Sequence, residues 1–510
     1  MRIYLLITFA SITLFGQAQQ QNVGIGTNTP NASAILDVNA TNKGMLIPRL
    51  TTIQRQAILN PATGLIAFDT DKGAVMFFDG TSWRALSFVD ENKTDPQSRS
   101  SLQPALSAGF GTRVAISGNY AIIGAPRYGA SGLLNMGVAY IFNKTSAGWT
   151  QVARLAARDS ATGDYFGGAV AISGDYAVVG SSNKTIGANV AQGKAYVFRR
   201  SGTSWILDTA LVKPAGAAYE DFGWSVGICA FNNGGPGLAI GIPYSDVTGP
   251  DRGEVFFYSR NTSGTWGYVQ NVSPTDLANA DYYGFTIAMD TDYVAIGATG
   301  QDNATYAYAD AGAAYVYAYG GGVWNFQQKL QGTVTRGQFG FALALSGNKL
   351  AVGAPWATTY SNTSSSVYIY ARTGSTWTNT TSLFIYNFEV IPNAGQLQPV
   401  TGTTAISIAN LTFGISVALD GNTLVIGASG GTDYPNGGSS YYSDRVGAAY
   451  IYKNFSGNSF TRTNILHSDF PGNGDLFGQS VSMSNSQYII GSPHAIVNGL
   501  VNAGNVYFGN

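Results

Sequence analysis

Short apolar runs, rich in β-branched and aromatic residues, alternate along most of this chain with turns of Gly, Ser, Asp and Asn. Residues 169–172 form one such run, and residues 176–179 form a second across a short turn. A polar segment follows, and two further runs begin at Gly193 and Trp205. Runs of this length and composition are typical of β-strands, and sustained helical periodicity is nearly absent. The pattern predicts four antiparallel strands in each such group.

An aromatic-Gly pair opens every group, and a Gly-Ala-Pro-like triplet follows it. The pairs are Phe110-Gly111, Phe166-Gly167, Phe222-Gly223, Tyr283-Gly284, Phe339-Gly340, Phe413-Gly414 and Phe477-Gly478. Successive pairs are 56, 56, 61, 56, 74 and 64 residues apart. A repeat of this length with four strands is typical of a propeller blade. We therefore expect an all-β fold: a seven-bladed β-propeller of four-stranded antiparallel blades, preceded by a small β-rich N-terminal module.

The seventh repeat stops after its third strand, near Phe508, whereas the other repeats continue into a fourth strand that opens with Trp or Phe. An uncovered strand edge promotes aggregation. We therefore expect an N-terminal segment to close the ring. Residues 102–107 and residues 83–89 are the two candidates, and the spacing to the first aromatic-Gly pair favours the former.

The repeats resemble the FG-GAP repeats of the integrin alpha-chain propeller and its bacterial relatives, over roughly residues 100–510. Many repeats of that family carry a calcium loop, Asp-x-Asp-x-Asp-Gly, between the first two strands. Here the same place holds tight turns such as Ser173-Gly174-Asp175, and the closest match is Asp290-Thr291-Asp292. These turns cannot supply the six to eight oxygens that calcium prefers. We expect no metal site and no cofactor.

The N-terminal part divides into a signal peptide at residues 1–18, a head module at residues 19–89 and a linker at residues 90–100. The first segment has a positive start, an apolar run and small residues ending at Ala18, which is the pattern of a secretory signal. The head module resembles one found at the start of many bacterial surface and fibre-like proteins. This likeness implies attachment or display, and self-association through the module is a further expectation. The propeller is expected to span residues 101–510.

Charge is sparse, at 11% of residues, and the formal net charge is −1. Nucleic-acid binding needs a basic face, so this class of function is excluded. A single cysteine, Cys229, excludes an intramolecular disulfide, and its apolar neighbours predict a buried thiol. Beyond the signal peptide, no segment is apolar and long enough to predict a membrane span. The expected location is therefore outside the cell, either secreted or on the cell surface.

Candidate catalytic residues are few. The two histidines, His467 and His494, have no ligand-like partners in the sequence. Residues 427–431 match the Gly-x-Ser-x-Gly pattern of hydrolases, but they occupy the sixth triplet position, so we interpret them as a strand-end turn. Acids recur before the aromatic-Gly pairs, and they predict either side-chain-bonded turns or, alternatively, a ring of carboxylates that binds a cation. These acids are Asp164, Asp221, Asp281 and Asp475. We expect no catalytic residue and no enzymatic activity.

The segments between the second and third strands vary in length and are rich in Tyr, Asn, Asp, Gly and Ser. Strand order places all of them on one face of the ring, where variable loops on a rigid scaffold usually carry function. Tyr and Trp supply contact area at low entropic cost, and their rings suit the apolar faces of sugars. The candidate ligand-binding residues are Tyr128, Tyr244, Asp302, Tyr306, Tyr308, Trp356, Tyr360, Tyr434, Tyr441 and Tyr442. The alternative is that these are solvated loops whose tyrosines pack against one another.

These observations predict a secreted or cell-surface binding or adhesion protein that recognises a glycan or an extracellular protein. One alternative is a structural surface or fibre component without a specific small ligand. A third is a polysaccharide hydrolase, which would need a pair of carboxylates flanking a cleft.

Overall fold

The computed structural model describes residues 23–71, 74–85, 97–99, 107–146, 148–231, 235–246, 249–357, 363–386, 412–430, 447–456, 459–466, 468 and 474–510. The chain divides into two units, Met1–Val89 and Asp90–Asn510. Nearly all of the described regular structure is β-strand, as the sequence predicts.

The described part of the first unit contains two small sheets and one short helix. Its elements are β1 (Val23–Ile25), β2 (Leu36–Val38), β3 (Arg49–Leu50), α1 (Thr52–Gln56), β4 (Ile66–Asp69), β5 (Ala74–Phe78) and β6 (Trp83–Ala85). Strands β1 and β2 pair in parallel, and β3 to β6 form a four-stranded sheet in chain order.

A capping box fixes the start of α1. The side chain of Thr51 accepts from the N–H of Gln54, whose own side chain accepts from the N–H of Thr51. The helix thereby positions Arg55, whose Nε lies 2.8 Å from Oδ2 of Asp69, with both side chains buried. The guanidinium also lies 5.2 Å from the centre of the Trp83 ring. This buried ion pair ties the helix to β4, and loss of the guanidinium would remove its positive charge from beside the buried carboxylate of Asp69.

The second unit contains seven four-stranded antiparallel sheets within its described residues. In chain order the strands are β7 (Gln97–Arg99), β8 (Arg113–Ser117), β9 (Tyr120–Ala125), β10 (Val138–Thr145), β11 (Gly148–Leu155), β12 (Ala169–Ser173), β13 (Tyr176–Ser181), β14 (Lys194–Ser201), β15 (Ser204–Leu211), β16 (Ser225–Ala230), β17 (Pro236–Ile242), β18 (Glu254–Arg260), β19 (Trp266–Val272), β20 (Tyr283–Met289), β21 (Tyr293–Ala298), β22 (Ala313–Gly320), β23 (Val323–Gln331), β24 (Ala342–Ser346), β25 (Lys349–Ala354), β26 (Thr363–Thr373), β27 (Thr376–Tyr386), β28 (Ser416–Asp420), β29 (Thr423–Ala428), β30 (Ala448–Ser456), β31 (Ser459–Leu466), β32 (Ser480–Ser484), β33 (Gln487–Ser492) and β34 (Asn505–Gly509). Six sheets are consecutive quartets from β8 to β31, and the seventh pairs β32, β33, β34 and β7 in that order.

The aromatic residue of each pair anchors the core of its own sheet. Phe166 is fully buried and packs edge-on against Tyr196 of the third strand, with 5.3 Å between ring centres. The same contact recurs in the first and sixth sheets, between Phe110 and Tyr140 and between Phe413 and Tyr450. Edge-to-face rings at this distance add to the apolar burial that stabilises each sheet.

The two repeated glycines explain how neighbouring sheets approach each other. A Cβ on Gly180, in the triplet of the second repeat, would overlap the carbonyl oxygen of Gly223 in the pair of the third. Equivalent overlaps occur at all seven junctions, including the one that joins Gly491 of the last repeat to Gly111 of the first. Only glycine allows backbones to meet this closely, so the repeated glycines set the spacing of the sheets.

The sheets form a closed circle. The first strand of each sheet contacts the first strand of the next, and β32 contacts β8. At this last junction the hydroxyl oxygen of Ser482 accepts from the N–H of Ile116 at 3.1 Å, and the hydroxyl of Ser480 donates to the carbonyl of Gly111 at 2.8 Å. The second unit is thus a β-propeller.

The strand that completes the seventh sheet is β7, which pairs with β34 through Arg99 and Val506, Ser98 and Tyr507, and Gln97 and Phe508. The expectation that an N-terminal segment completes this sheet is confirmed, but both candidate segments were wrong. Residues 83–85 belong instead to the sheet of the first unit. In the favoured segment, residues 102–106 lie outside the described residues and Ser107 donates to the carbonyl of Val501. The closing strand lies within residues 90–100, which the sequence suggested were a linker.

Candidate ligand-binding face

Two sets of loops meet at one end of the sheets. In the first, second, third, fourth and seventh repeats, the described loop between the second and third strands accepts backbone hydrogen bonds from the segment that enters the next repeat. Ala191 accepts from the N–H of Asp221 at 3.0 Å, and Asp251 accepts from that of Tyr282 at 3.1 Å. The donors take left-handed backbone angles, with φ of 58° at Asp221 and 56° at Tyr282. These bonds brace the described loops against the following repeat, and we call the surface that these loops form the loop face.

Six of the ten candidate residues lie within the described part of the loop face. They are Tyr128, Tyr244, Asp302, Tyr306, Tyr308 and Trp356. The other four, Tyr360, Tyr434, Tyr441 and Tyr442, lie outside the described residues.

Tyr306, Tyr308 and Asp302 share one loop of the fourth repeat. The rings of Tyr306 and Tyr308 stack with 5.7 Å between centres, and Tyr306 is 62% exposed. The loop is pinned by reciprocal backbone bonds between Asn303 and Tyr308, and the carboxylate of Asp302 accepts from the N–H of Asp310 at 2.9 Å. Asp302 therefore shapes the loop, while the ring of Tyr306 remains open to solvent.

Tyr128 has a different environment from the other candidates. It is half-buried and packs on the core of the first sheet. The guanidinium of Arg154 lies over its ring, 4.8 Å from the ring centre. Its neighbour Arg127 lies 3.5 Å from the ring of His494. None of the ring contacts in the described residues joins Tyr128 to Tyr244 or Trp356.

Tyr244 and Trp356 belong to a line of touching rings that extends across the third, fourth and fifth repeats. We call this line the aromatic row; its members, in order, are Tyr282, Tyr244, Trp224, Phe285, Phe341 and Trp356. The distances between successive ring centres are 5.6, 5.2, 5.7, 5.1 and 4.7 Å. All six side chains are half-buried. Sequence reasoning found only two of the six.

The row arises from two repeated positions. Trp224, Phe285 and Phe341 each follow directly after an aromatic-Gly pair, where the other four repeats have Thr, Gly, Ile and Gln. Tyr244 and Trp356 follow the triplets of the third and fifth repeats, and the fourth repeat has Gly300 at that place. A Cβ on Gly300 would lie 3.1 Å from the ring of Tyr282 and would overlap a backbone oxygen. Comparison of the residue after each pair, repeat by repeat, would have revealed the row.

Two polar atoms beside the row have no hydrogen-bond partner. They are Oδ1 of Asp221 and Nε1 of Trp356, and both are buried. Burial raises the pKa of the Asp221 carboxyl to about 7. Burial, followed by the charge of Asp221, raises the pKa of Tyr244 to about 12. The carboxyl and the phenol are therefore close neighbours in a poorly solvated environment.

The recurring acids have mainly a structural role, but Asp221 differs from the rest. Carboxylates of Asp164, Glu220 and Asp281 accept from the N–H three residues earlier, at 2.6, 2.8 and 2.7 Å. This geometry confirms the turn interpretation for Asp164 and Asp281. In the third repeat Glu220 has this role, so the grouping of Asp221 with the turn acids was wrong by one residue. Asp475 occupies the same position in the seventh repeat.

The remaining candidates for chemistry have ordinary environments. Ser429, in the hydrolase-like pattern, is buried 3.3 Å from the hydroxyl of Thr412. Cys229 is buried as expected, and burial raises the pKa of its thiol to about 12. His467 lies outside the described residues. Within the described ranges, no three His, Cys, Asp or Glu side chains are close enough to hold a metal ion together. In the same ranges no helix is apolar and long enough to cross a membrane.

Comparison with protein families gives two matches along the chain. The FG-GAP repeat model matches residues 105–142, 149–198, 266–317, 324–370 and 409–452. A model described as a phage tail like trimerisation region matches residues 24–102. No curated protein shows significant similarity to the chain. The sheets of the third and seventh repeats follow the same architecture beyond the matched segments. The chain therefore carries FG-GAP repeats that form a β-propeller, and its N-terminal part is similar to a phage tail like trimerisation region.

Proposed function

We propose that this protein is exported and acts as a secreted or cell-surface binding protein, with a seven-bladed propeller whose loop face recognises an extracellular glycan or protein. Each of the seven sheets would be one blade. The observation that carries the proposal is the set of half-buried and exposed aromatic side chains gathered on one face of a rigid ring. Soluble proteins rarely leave contiguous apolar surface open to water unless it contacts a partner.

The scaffold supports recognition without rearrangement. Backbone bonds such as those from Asp221 and Tyr282 hold each loop against the next repeat. A binding surface that is already formed loses less conformational entropy when the ligand binds. We propose binding without turnover and without a cofactor.

The test uses residues 19–510 on a combined array of glycans and extracellular proteins, in calcium and in chelator. We expect a specific hit that is independent of calcium and that weakens when the loop face is altered. A blank array in both buffers would contradict the binding function. Release of a shortened glycan from the array would instead support the hydrolase alternative.

A second proposal concerns the N-terminal unit, which would hold three copies of the chain together. Its described residues expose large apolar side chains, including Ile35 at 78%, Leu46 at 81% and Leu59 at 91%. Burial of such side chains against other copies contributes about 25 cal/mol for each Å² removed from water. The match to a trimerisation region agrees with this arrangement. This unit would serve a display function with the propeller as the recognition part, or a structural fibre role without a ligand.

Light scattering on residues 19–510 tests the assembly. We expect a mass of three chains, which shifts towards one chain in the double variant Leu46→Asp and Leu59→Asp. Val152→Asp is the matched control, because Val152 is an exposed apolar residue of the propeller. A monomeric parent protein would contradict the proposal.

A further inference from the structure

The aromatic row differs from the framework aromatics on which it rests. Phe222, Tyr283 and Phe339 directly precede the glycines of their pairs and are 0–1% exposed. Trp224, Phe285 and Phe341, two residues further on, all remain partly open to solvent. A ring needed only for packing would be expected inside, so the open row requires another explanation.

The shape of the row indicates an elongated ligand. Its rings come from three consecutive repeats and each ring contacts the next, so the row extends across three repeats. Along the row, the planes of successive rings are inclined to each other by 68°, 87°, 48°, 45° and 82°. Such a line offers successive apolar contacts, with a spacing similar to the length of one sugar ring. The C–H faces of hexoses in a linear chain fit this surface.

The polar groups of the row suit hydroxyls. Near one end Asp221 has an unpaired acceptor, and at the other end Trp356 has an unpaired donor. A buried polar group without a partner needs an explanation. A hydroxyl both donates and accepts, so sugar hydroxyls can satisfy both groups after a small rotation of a ring.

The charges around the row disfavour acidic ligands. Besides burial, the carboxylates of Asp251 and Asp310 raise the pKa of Tyr282, which places both charges near that end of the row. In the same loop as Asp251, the guanidinium of Arg252 donates to the side chain of Asn279. Carboxylate or sulfate groups on a ligand would be repelled here.

We propose that the aromatic row is the binding site for a linear glycan without acidic groups, with sugar rings packed over Trp224, Phe285 and Phe341. The inference rests on the proposed binding function, and it names the ligand class and the residues.

Titration calorimetry on residues 19–510 tests it with three probes: cellohexaose, N-acetylated chitohexaose and an oligogalacturonate of similar length. We expect at least one neutral probe to bind and the acidic probe to bind more weakly. Trp224→Leu and Phe341→Leu keep apolar bulk but lose the flat ring. A contact ring at a binding centre contributes enough that each should weaken binding about tenfold or more.

Two controls separate binding from folding. Phe341→Tyr restores a ring and should restore binding, and all variants should keep the melting temperature of the parent protein. Tyr268→Leu removes an exposed ring from strand β19, outside the loop face, and should leave affinity within about twofold.

The outcomes distinguish this inference from the function on which it rests. If Tyr306→Leu abolishes binding and the row variants do not, the row is wrong but the loop face stands. Tightest binding of the acidic probe, or hits with proteins alone, would overturn the ligand class. If no glycan and no protein binds, both proposals fail.

Discussion

Asp221→Asn should stabilise the propeller at neutral and alkaline pH, although it deletes a charged side chain. Oδ1 of Asp221 is buried without a partner, and burial raises the pKa of the carboxyl to about 7. The folded state therefore holds a proton that the unfolded chain, with an ordinary aspartate pKa, has already lost. Stability is lost as the pH rises from about 4 to about 7, and it then levels off. Asn also suits the left-handed backbone at this position, where φ is 58°.

The size of the effect follows from the same pKa. The gap between about 7 and an ordinary value near 3.9 corresponds to at most ~4 kcal/mol. Asp221 is only half-buried, so screening by solvent reduces the expected gain to ~1–2 kcal/mol at pH 8. Near pH 3.5 the carboxyl is mostly protonated in both states, and the gain from its charge should be close to zero.

Denaturant unfolding of the variant and the parent protein at pH 3.5, 5, 6.5 and 8 measures this difference directly. The difference in unfolding free energy between the variant and the parent protein should increase from pH 3.5 to pH 8. At pH 9 it should equal the value at pH 8. Asp175→Asn is the control, because Asp175 lies in an exposed hairpin turn and pairs with Arg200. An advantage for Asp221→Asn that does not depend on pH, or a loss of stability at pH 8, would refute the reasoning.

Three further outcomes test the fold. Gly180→Ala should cost about 2–4 kcal/mol in denaturant unfolding, because the added methyl overlaps the backbone of the next repeat, whereas Gly267→Ala should be neutral. A chain that starts at residue 101 lacks β7, so hydrogen exchange along β34 should be faster than in a chain that starts at residue 90. Arg55→Met should cost the N-terminal unit about 3–5 kcal/mol in thermal unfolding, because its carboxylate partner stays buried; equal stability would contradict that account.

The four-stranded sheets could be predicted because each repeat contains the information for its own strands. Turn residues, apolar runs and the aromatic-Gly pair lie within one stretch of sequence, and seven copies reinforce the pattern. The closing strand was missed because Gln97–Arg99 has no apolar pattern of its own. Its pairing with β34 depends on a contact between distant parts of the chain, and its sequence does not specify that contact.

The candidate site was predicted in part for a similar reason. Tyr244 and Trp356 lie in variable loops and were found as loop aromatics. Trp224, Phe285 and Phe341 were not among the candidates, because they follow the glycine of the pair and lie outside the variable loops. That they meet depends on three repeats lying side by side, which is a property of the assembled ring.

Closure by β7 also determines how the molecule would respond to pulling. If the N-terminal unit is held in an assembly and the loop face holds its ligand, tension along the chain reaches β7 before any other strand of the propeller. The ladder between β7 and β34 is only three residues long, so it would be the first part of the propeller to separate under load. Once it opens, each released residue adds up to about 3.5 Å of slack. The other six sheets contain no strand from this segment. Their strand pairing, and the contacts of the loop face with its ligand, would therefore persist under a force that separates β7 from β34.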